Sequence, residues 1–234
     1  MKKALIIGAL ALTAFGASAQ SDVLDNPDNH PYFGVRLALD VTCPTQWTIK
    51  NGPLNLSTDF TTPAAGVEAG FIYNLPLWKN LYFEPGISLY YDTYGLDLAV
   101  FDGDADFPMD LKNKSVRKFG FRIPAAFGYH FDFSRVSLSV FTGPVFDLGM
   151  VGRYYLTSNK INGVNIHESG SIYEKIDGEV LLNRCNLSWR FGVGAEFNRF
   201  MVSLSGDVGM IDMCPSQYAT YRENNFHLTV GYNF

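Results

Sequence analysis

The sequence predicts an all-β chain, an eight-stranded antiparallel up-and-down transmembrane β-barrel behind a cleavable signal peptide. Three observations predict it. Apolar residues alternate with small or polar ones through eight segments, a period of two that belongs to strands rather than helices. The Phe and Tyr side chains gather on one face of these segments while the other face mixes Gly and Ser with opposite charges, the reverse of a barrel in water. The connections alternate long and short. Composition agrees: 47% hydrophobic and 15% aromatic residues against 18% charged exclude intrinsic disorder. A net charge of -5 without a basic stripe excludes a nucleic-acid partner.

The first element is the leader. Lys2 and Lys3 form a positive n-region, Ala4 to Phe15 an apolar stretch, and Ala17-Ser18-Ala19 a small-residue cleavage site. The apolar stretch is too short to span a bilayer as a helix. Cleavage after Ala19 removes both lysines, so 16 Lys and Arg face 23 acids and the exported chain carries a net charge of -7. No Cys follows the cleavage site, which argues against a lipid anchor. Residues 1–19 are thus the signal peptide, 20–31 a periplasmic lead and 32–234 the barrel. The barrel region holds no uncharged apolar run long enough for a membrane-spanning helix.

The strands follow in order. Phe33, Val35, Leu37, Leu39 and Val41 oppose Gly34, Arg36, Ala38 and Asp40; Ala65 to Tyr73 oppose Gly66, Glu68 and Gly70; Leu81 to Tyr91 oppose Glu84, Gly86 and Ser88. Phe119 to Phe131 oppose Gly120, Arg122 and Gly128, and Val136 to Met150 oppose Ser137, Ser139 and Asp147. Trp189 to Phe197 oppose Arg190, Gly192, Gly194 and Glu196; Phe200 to Val208 oppose Ser203, Ser205 and Asp207; Phe226 to Phe234 oppose His227, Thr229 and Asn233. About ten residues of strand, at ~3.3 Å per residue and ~45° tilt, cover roughly 24 Å, the height of a bilayer's apolar band. Aromatic residues collect at the strand ends, with Trp78, Tyr129, Phe131, Phe197, Phe200, Tyr232 and Phe234 in a periplasmic girdle and Tyr91, Tyr94, Trp189 and Phe226 in an outer one.

The connections run 42–63, 75–80, 92–118, 132–135, 151–187, 198–199 and 209–225. Short periplasmic turns alternating with long extracellular loops place both termini in the periplasm, and a soluble sandwich has no reason to segregate its loops this way. Pro85, Pro124 and Pro144 fall inside three consecutive strands of a closed barrel, where each removes a ladder hydrogen bond, and are read as bulges.

Hairpin geometry places the inward charges. A two-residue turn at Asn198-Arg199 sets Phe197 opposite Phe200 and hence Arg190 opposite Asp207. Pairing Tyr73 with Leu81 brings Glu68 diagonal to Glu84, with Arg36 and Arg122 on the flanking strands to separate the two carboxylates. A four-residue turn at Asp132 puts Asp147 diagonal to Arg122. Arg36, Glu68, Glu84, Arg122, Asp147, Arg190 and Asp207 therefore form a network expected to neutralise and plug the lumen. Two carboxylates also suit a glycosidase, but charge pairing inside a closed barrel already accounts for Glu68 and Glu84.

Arg122-Ile123-Pro124-Ala125-Ala126-Phe127-Gly128-Tyr129 with Phe131, then Thr142-Gly143-Pro144, then Arg190-Phe191-Gly192-Val193-Gly194-Ala195-Glu196-Phe197 carry a resemblance to a known family. Over residues 32–234 the chain resembles the small outer-membrane β-barrel family of Gram-negative bacteria, in its PorT-like or "porin family" branch, with OmpA- and OmpX-type architecture. The resemblance implies an outer-membrane location with outer-membrane lipid around the barrel. It also implies that Phe226, Leu228, Val230, Tyr232 and Phe234 form the C-terminal signal read by the barrel-assembly machinery. It identifies no activity, since members serve as anchors, adhesins, small pores and assembly factors.

The remaining chemistry is sparse. His30, His130, His167 and His227 share no local metal spacing, so no metal or cofactor is expected. His227 with Ser188 or Ser216 is the one pairing that would suit a lipid hydrolase at the rim. Cys43, Cys185 and Cys214 fall at extracellular loop ends in an oxidising location. Extending the hairpin register sets Cys185 opposite Asp212 and near Cys214, so a Cys185–Cys214 disulfide and three free thiols both stand. Asp102, Asp104, Asp106 and Asp110 make an acidic loop that lacks the closing Glu of an EF-hand. Residues 159–166 and 171–176 alternate around a turn, which suits either a ribbon above the membrane or a plain surface loop. The expectation is a non-enzymatic structural or surface-interaction protein whose long loops meet an unidentified extracellular ligand or protein. A narrow porin for ions or very small solutes is the alternative, and a lipid-modifying enzyme the third reading.

Overall fold

The computed structural model describes residues 30–44, 47–51, 54–58, 61–62, 64–96, 111–133, 136–161, 164–176, 179–180, 182–214 and 219–234. The leader, most of the lead, the acidic loop with Asp102, Asp104, Asp106 and Asp110, and Ser216 lie outside these residues.

Eight strands form a ring: β1 (Tyr32–Pro44), β2 (Ala64–Trp78), β3 (Leu81–Leu96), β4 (Leu111–Phe133), β5 (Val136–Ile161), β6 (Cys185–Phe197), β7 (Phe200–Gly209) and β8 (Glu223–Asn233). Each pairs antiparallel with its sequence neighbours. β8 returns to β1, from Gly34 opposite Asn233 to Pro44 opposite Glu223, and closes the ring without a free edge.

The alternation read from the sequence decides which way each strand faces. Phe33, Phe71 and Phe200 are 64%, 64% and 62% exposed, whereas Arg122 and Asp207 are each 1% exposed. A soluble barrel would bury the first set, so this outward face is built for a hydrocarbon solvent and the barrel spans a membrane. At the turn end, Phe200 and Tyr232 pack edge to face at 5.3 Å, as do Tyr232 and Phe234 at 5.1 Å and Tyr129 and Phe131 at 4.9 Å. These aromatics form a girdle. Inside, small residues make room for rings: Tyr82 lies over Gly128 and Phe141 over Gly192, so a methyl group at either glycine would overlap the ring. Leu204 stands mid-strand on the outward face and is 59% exposed. Leu204→Arg is expected to cost about 2–4 kcal/mol of bilayer-embedded stability. An unchanged urea midpoint in lipid vesicles would refute the assignment of that face.

Two turns at one end, at residues 79–80 and 198–199, are two residues each, with Lys79 (φ 52°) and Asn198 (φ 53°) in the left-handed region that lets two strands reverse tightly. Two expected registers are corrected. β2 does not end near Tyr73 but continues through Pro76 to Trp78, so Leu75 meets Phe83 and Ile72 meets Gly86. Pro76 is tolerated because the register shifts between Pro76 and Trp78. Glu68 therefore opposes Tyr90 and is not diagonal to Glu84. β4 likewise runs to Phe133, opposite Val136, which sets Arg122 directly opposite Asp147. The bulges expected at Pro85, Pro124 and Pro144 are absent: Pro85 faces Ala125, Pro124 faces Val145 and Pro144 faces Trp189 in unshifted register. A proline's φ lies within the extended range, so the cost is one missing donor rather than an extra residue.

At the other end β5 outruns the ring and pairs with Val164–Ser171, a ribbon in which Arg153 faces Ser171 and Thr157 faces His167. Trp47–Asn51, Leu54–Thr58 and Ala219–Thr220 form a separate small sheet.

Candidate functional site: a charged lumen beneath an apolar cap

Residues that alternate inward from all eight strands meet on the barrel axis. Arg122 of β4 is the hub. Its Nε donates to Asp147 Oδ1 of β5 at 2.9 Å, its Nη1 donates to Asp40 Oδ2 of β1 at 3.0 Å and to Glu68 of β2, and its Nη2 lies 3.5 Å from Asp92 Oδ2 of β3. Its guanidinium also lies 4.7 Å from the ring centre of Tyr90. One cation thus ties four strands together across the bore.

A second centre adjoins it. Arg190 of β6 donates to both oxygens of Asp207 of β7 at 2.7 and 2.8 Å, a bidentate pair between directly opposed residues. His227 of β8 links the two centres, with Nδ1 2.6 Å from Asp40 and Nε2 3.0 Å from Asp207. Nearer the turns, Arg36 donates to Asn233 Oδ1 at 2.8 Å and to Glu84 at 3.4 Å, while Asn233 donates to Glu196 at 3.3 Å. The space left among Arg36, Glu68, Glu84, Ser88 and Arg190 is a cavity of about 60 Å³, room for a few waters.

Eight carboxylates on inward positions (Asp40, Glu68, Glu84, Asp92, Asp147, Glu196, Asp207 and Glu223) face four fixed cations (Arg36, Lys118, Arg122 and Arg190). Among the described residues the excess on these inward positions is acidic. Asp40, Glu68 and His227 bring ligand atoms within 4.8 Å of one another. Arg122 already bonds both carboxylates, so its guanidinium stands where a metal ion would.

Above the charges lies an apolar cluster. Tyr94 of β3, Val116 of β4, Ile172, Tyr173, Leu182, Met213, Cys214 and Tyr221 are buried together, with Tyr154 packed alongside. Backbone bonds stitch the loops into it: Ile172 N–H to Gly152 O at 3.0 Å, Leu182 N–H to Ile172 O at 3.0 Å, Asn183 N–H to Met213 O at 2.7 Å and Met213 N–H to Tyr221 O at 2.8 Å. Beneath it Lys118 pairs with Glu223, and the Tyr221 hydroxyl donates to Glu223 Oε1 at 2.9 Å. Burial pushes the Tyr173 hydroxyl up to about 12, so it stays neutral at physiological pH.

No family model matches the chain and no curated protein matches it. Solved structures do. The chain is similar to Ail, the attachment invasion locus protein of Yersinia pestis, at 13% identity over 87% of this chain and 97% of that one, with a TM-score of 0.37. It is similar to Neisserial surface protein A at 13% identity over 86% and 97%, with a TM-score of 0.40. It is similar to the COG4313 outer membrane channel from Pseudomonas putida F1 at 10% identity over 92% and 100%, with a TM-score of 0.36. Such likenesses concern the barrel alone and place no residue.

The structure brings Arg36 beside Glu84, Arg122 beside Glu68 and Asp147, and Arg190 beside Asp207. It does not bring Cys185 to Cys214. No disulfide joins them: Cys185 is an exposed thiol at the start of β6, while Cys214 is buried in the cap. The register that would align them stops at Gly209, where β7 ends, and Asp212 Oδ1 instead accepts the amides of Cys214 and Tyr221 at 3.0 and 2.8 Å. Tyr94 is not in an outer girdle but inside, 3% exposed, because it shares the inward phase of Tyr90 and Asp92. His227 is not at the rim: it is 2% exposed and held between two carboxylates, with no hydrogen bond to Ser188.

Sequence reading missed Asp40, Asp92, Lys118, Glu196 and Glu223 as partners. The sequence alternation places Asp92 and Lys118 at the ends of a connection, yet both keep the inward phase of Ser88 and Arg122, and that phase is the signal that finds them.

Proposed function

We propose that this chain is an outer-membrane β-barrel with a non-enzymatic structural or surface-interaction role, its bore closed to solutes and its long loops meeting an extracellular ligand or protein. The observation that carries the reading is Arg122, 1% exposed and bound to carboxylates from four strands across the bore. The apolar cap over the same bore supports it, because a solute would have to pass both. The predicted leader and the motif resemblance to PorT-like barrels support the location, and the alternating Phe226 to Phe234 segment supports delivery by the barrel-assembly machinery.

Single-channel recording in a planar bilayer tests the reading. The refolded wild type is expected to be silent, and an Arg122→Ser, Arg190→Ser variant to leak in brief, cation-preferring steps, because removing two guanidiniums leaves the acidic side chains uncompensated. Steady conductance from the wild type would overturn the closed bore and favour the narrow-porin reading.

A further inference from the structure

Where β4 and β5 rise past the apolar belt, their outward faces change character abruptly. Tyr91, Phe119 and Val151 form one row across β3, β4 and β5, with 41%, 37% and 52% exposure, the last apolar row at the loop end. The next outward row, about 7 Å further along the strands, reads Thr93, Arg117, Arg153 and Ser171. The row beyond that reads Gly95, Ser115, Tyr155 and Ser169, and a further pair is Thr157 with His167. Among the described residues this outward face carries no acid. Glu168, the one carboxylate of the described ribbon strand, points to the opposite side, where it accepts from the Tyr154 hydroxyl.

Arg117 and Arg153 are directly opposed on neighbouring strands, and both are exposed. Like charges at directly opposed positions of an antiparallel pair repel. Among the described residues no carboxylate relieves the repulsion. Arg117 lies over the Tyr155 ring at 4.8 Å, and among the described residues neither guanidinium pairs with a carboxylate. In a chain with a net charge of -5, an acid-free face with two unneutralised guanidiniums, ringed by hydroxyl donors, is a local reversal of sign. Its height matters as much as its charge: one turn of the pleat above the last apolar row is where lipid headgroups lie, and Tyr155 is the residue type that favours that depth.

We infer that Arg117 and Arg153, with Tyr155, Ser115 and Ser171 around them, bind the phosphate of an anionic lipid headgroup whose acyl chains lie against Tyr91, Phe119 and Val151. Two opposed guanidinium forks can bond a phosphate from both sides, and the bound anion removes the repulsion between them. Membrane-embedded lipid is favoured over a soluble anion because the guanidiniums sit directly above an exposed apolar row that a soluble ligand would leave wet.

The experiment is spin-labelled lipid selectivity of the full chain refolded in phosphatidylcholine bilayers, comparing labelled phosphatidylglycerol with labelled phosphatidylcholine. Wild type is expected to prefer phosphatidylglycerol at least two-fold, and Arg117→Gln, Arg153→Gln to lose the preference. Arg117→Lys, Arg153→Lys is expected to keep part of it. Arg222→Gln, which removes one exposed charge elsewhere at the loop end, is expected to keep all of it. The heat-modifiable gel shift of each sample reports insertion: a wild type that fails to insert counts against the membrane-spanning reading and not against this site, and a double variant that fails to insert is replaced by Arg117→Gln and Arg153→Gln singly, each expected to weaken the preference. Equal preference in wild type and the Gln variant overturns the site. Displacement of labelled phosphatidylglycerol by millimolar inorganic phosphate in the surrounding buffer overturns the lipid as its ligand and makes it a soluble-anion site.

Discussion

Arg122→Met is expected to lower the stability of the embedded barrel by about 3–5 kcal/mol, the cost of leaving a buried ion pair half broken. The substitution keeps the bulk of the side chain and removes the charge, stranding Asp40, Glu68, Asp92 and Asp147 in a bore where they are almost fully buried. Arg122→Lys is expected to fall between, because an ammonium group cannot reproduce a planar fork that reaches oxygens on four strands. Adding Glu68→Gln and Asp147→Asn to Arg122→Met should recover part of the loss, since the unpaired carboxylates and not the missing arginine carry the penalty. The urea midpoint of the folded gel band in vesicles measures all four proteins. A midpoint for Arg122→Met equal to wild type would show that the four carboxylates do not depend on the guanidinium.

The parts of this site that sequence makes legible are those where only one geometry is open. Asn198-Arg199 leaves a single two-residue turn, and from it the β6–β7 register and the meeting of Arg190 with Asp207 follow by counting. The β2–β3 register is harder, because Pro76 reads as a terminator when it lies inside the strand beside a register shift, and a slip of this kind moves Glu68 from Glu84 to Tyr90. Strand ends are harder still at the loop side. There Thr93 and Arg117 occupy outward positions that hydrocarbon no longer constrains, so the apolar half of the alternation disappears while the inward half, Asp92 and Lys118, continues. The cap is not legible at all. Its members come from β3, β4 and two long connections, and no local period links Ile172 to Met213 or Tyr221.

That cap leads to the second large effect. Ile172→Ala is expected to cost about 2–5 kcal/mol, since the side chain is fully buried among Tyr94, Val116, Leu182 and Tyr221. The loss is local. Loops stitched by a few backbone bonds open without unfolding the ring, so amide exchange at Ile172, Leu182 and Met213 should quicken about 30-fold or more, while amides of β7 and β8 stay protected. Under the closed-bore proposal, opening the cap alone leaves the bilayer silent, because the Arg122 centre lies below it as a second barrier in series. Ile172→Ala combined with Arg122→Ser and Arg190→Ser is then expected to conduct more than the arginine variant without it. Conductance from Ile172→Ala by itself would instead make the cap the sole closure, and would recast the buried charges as the selectivity element of a gated pore rather than its plug.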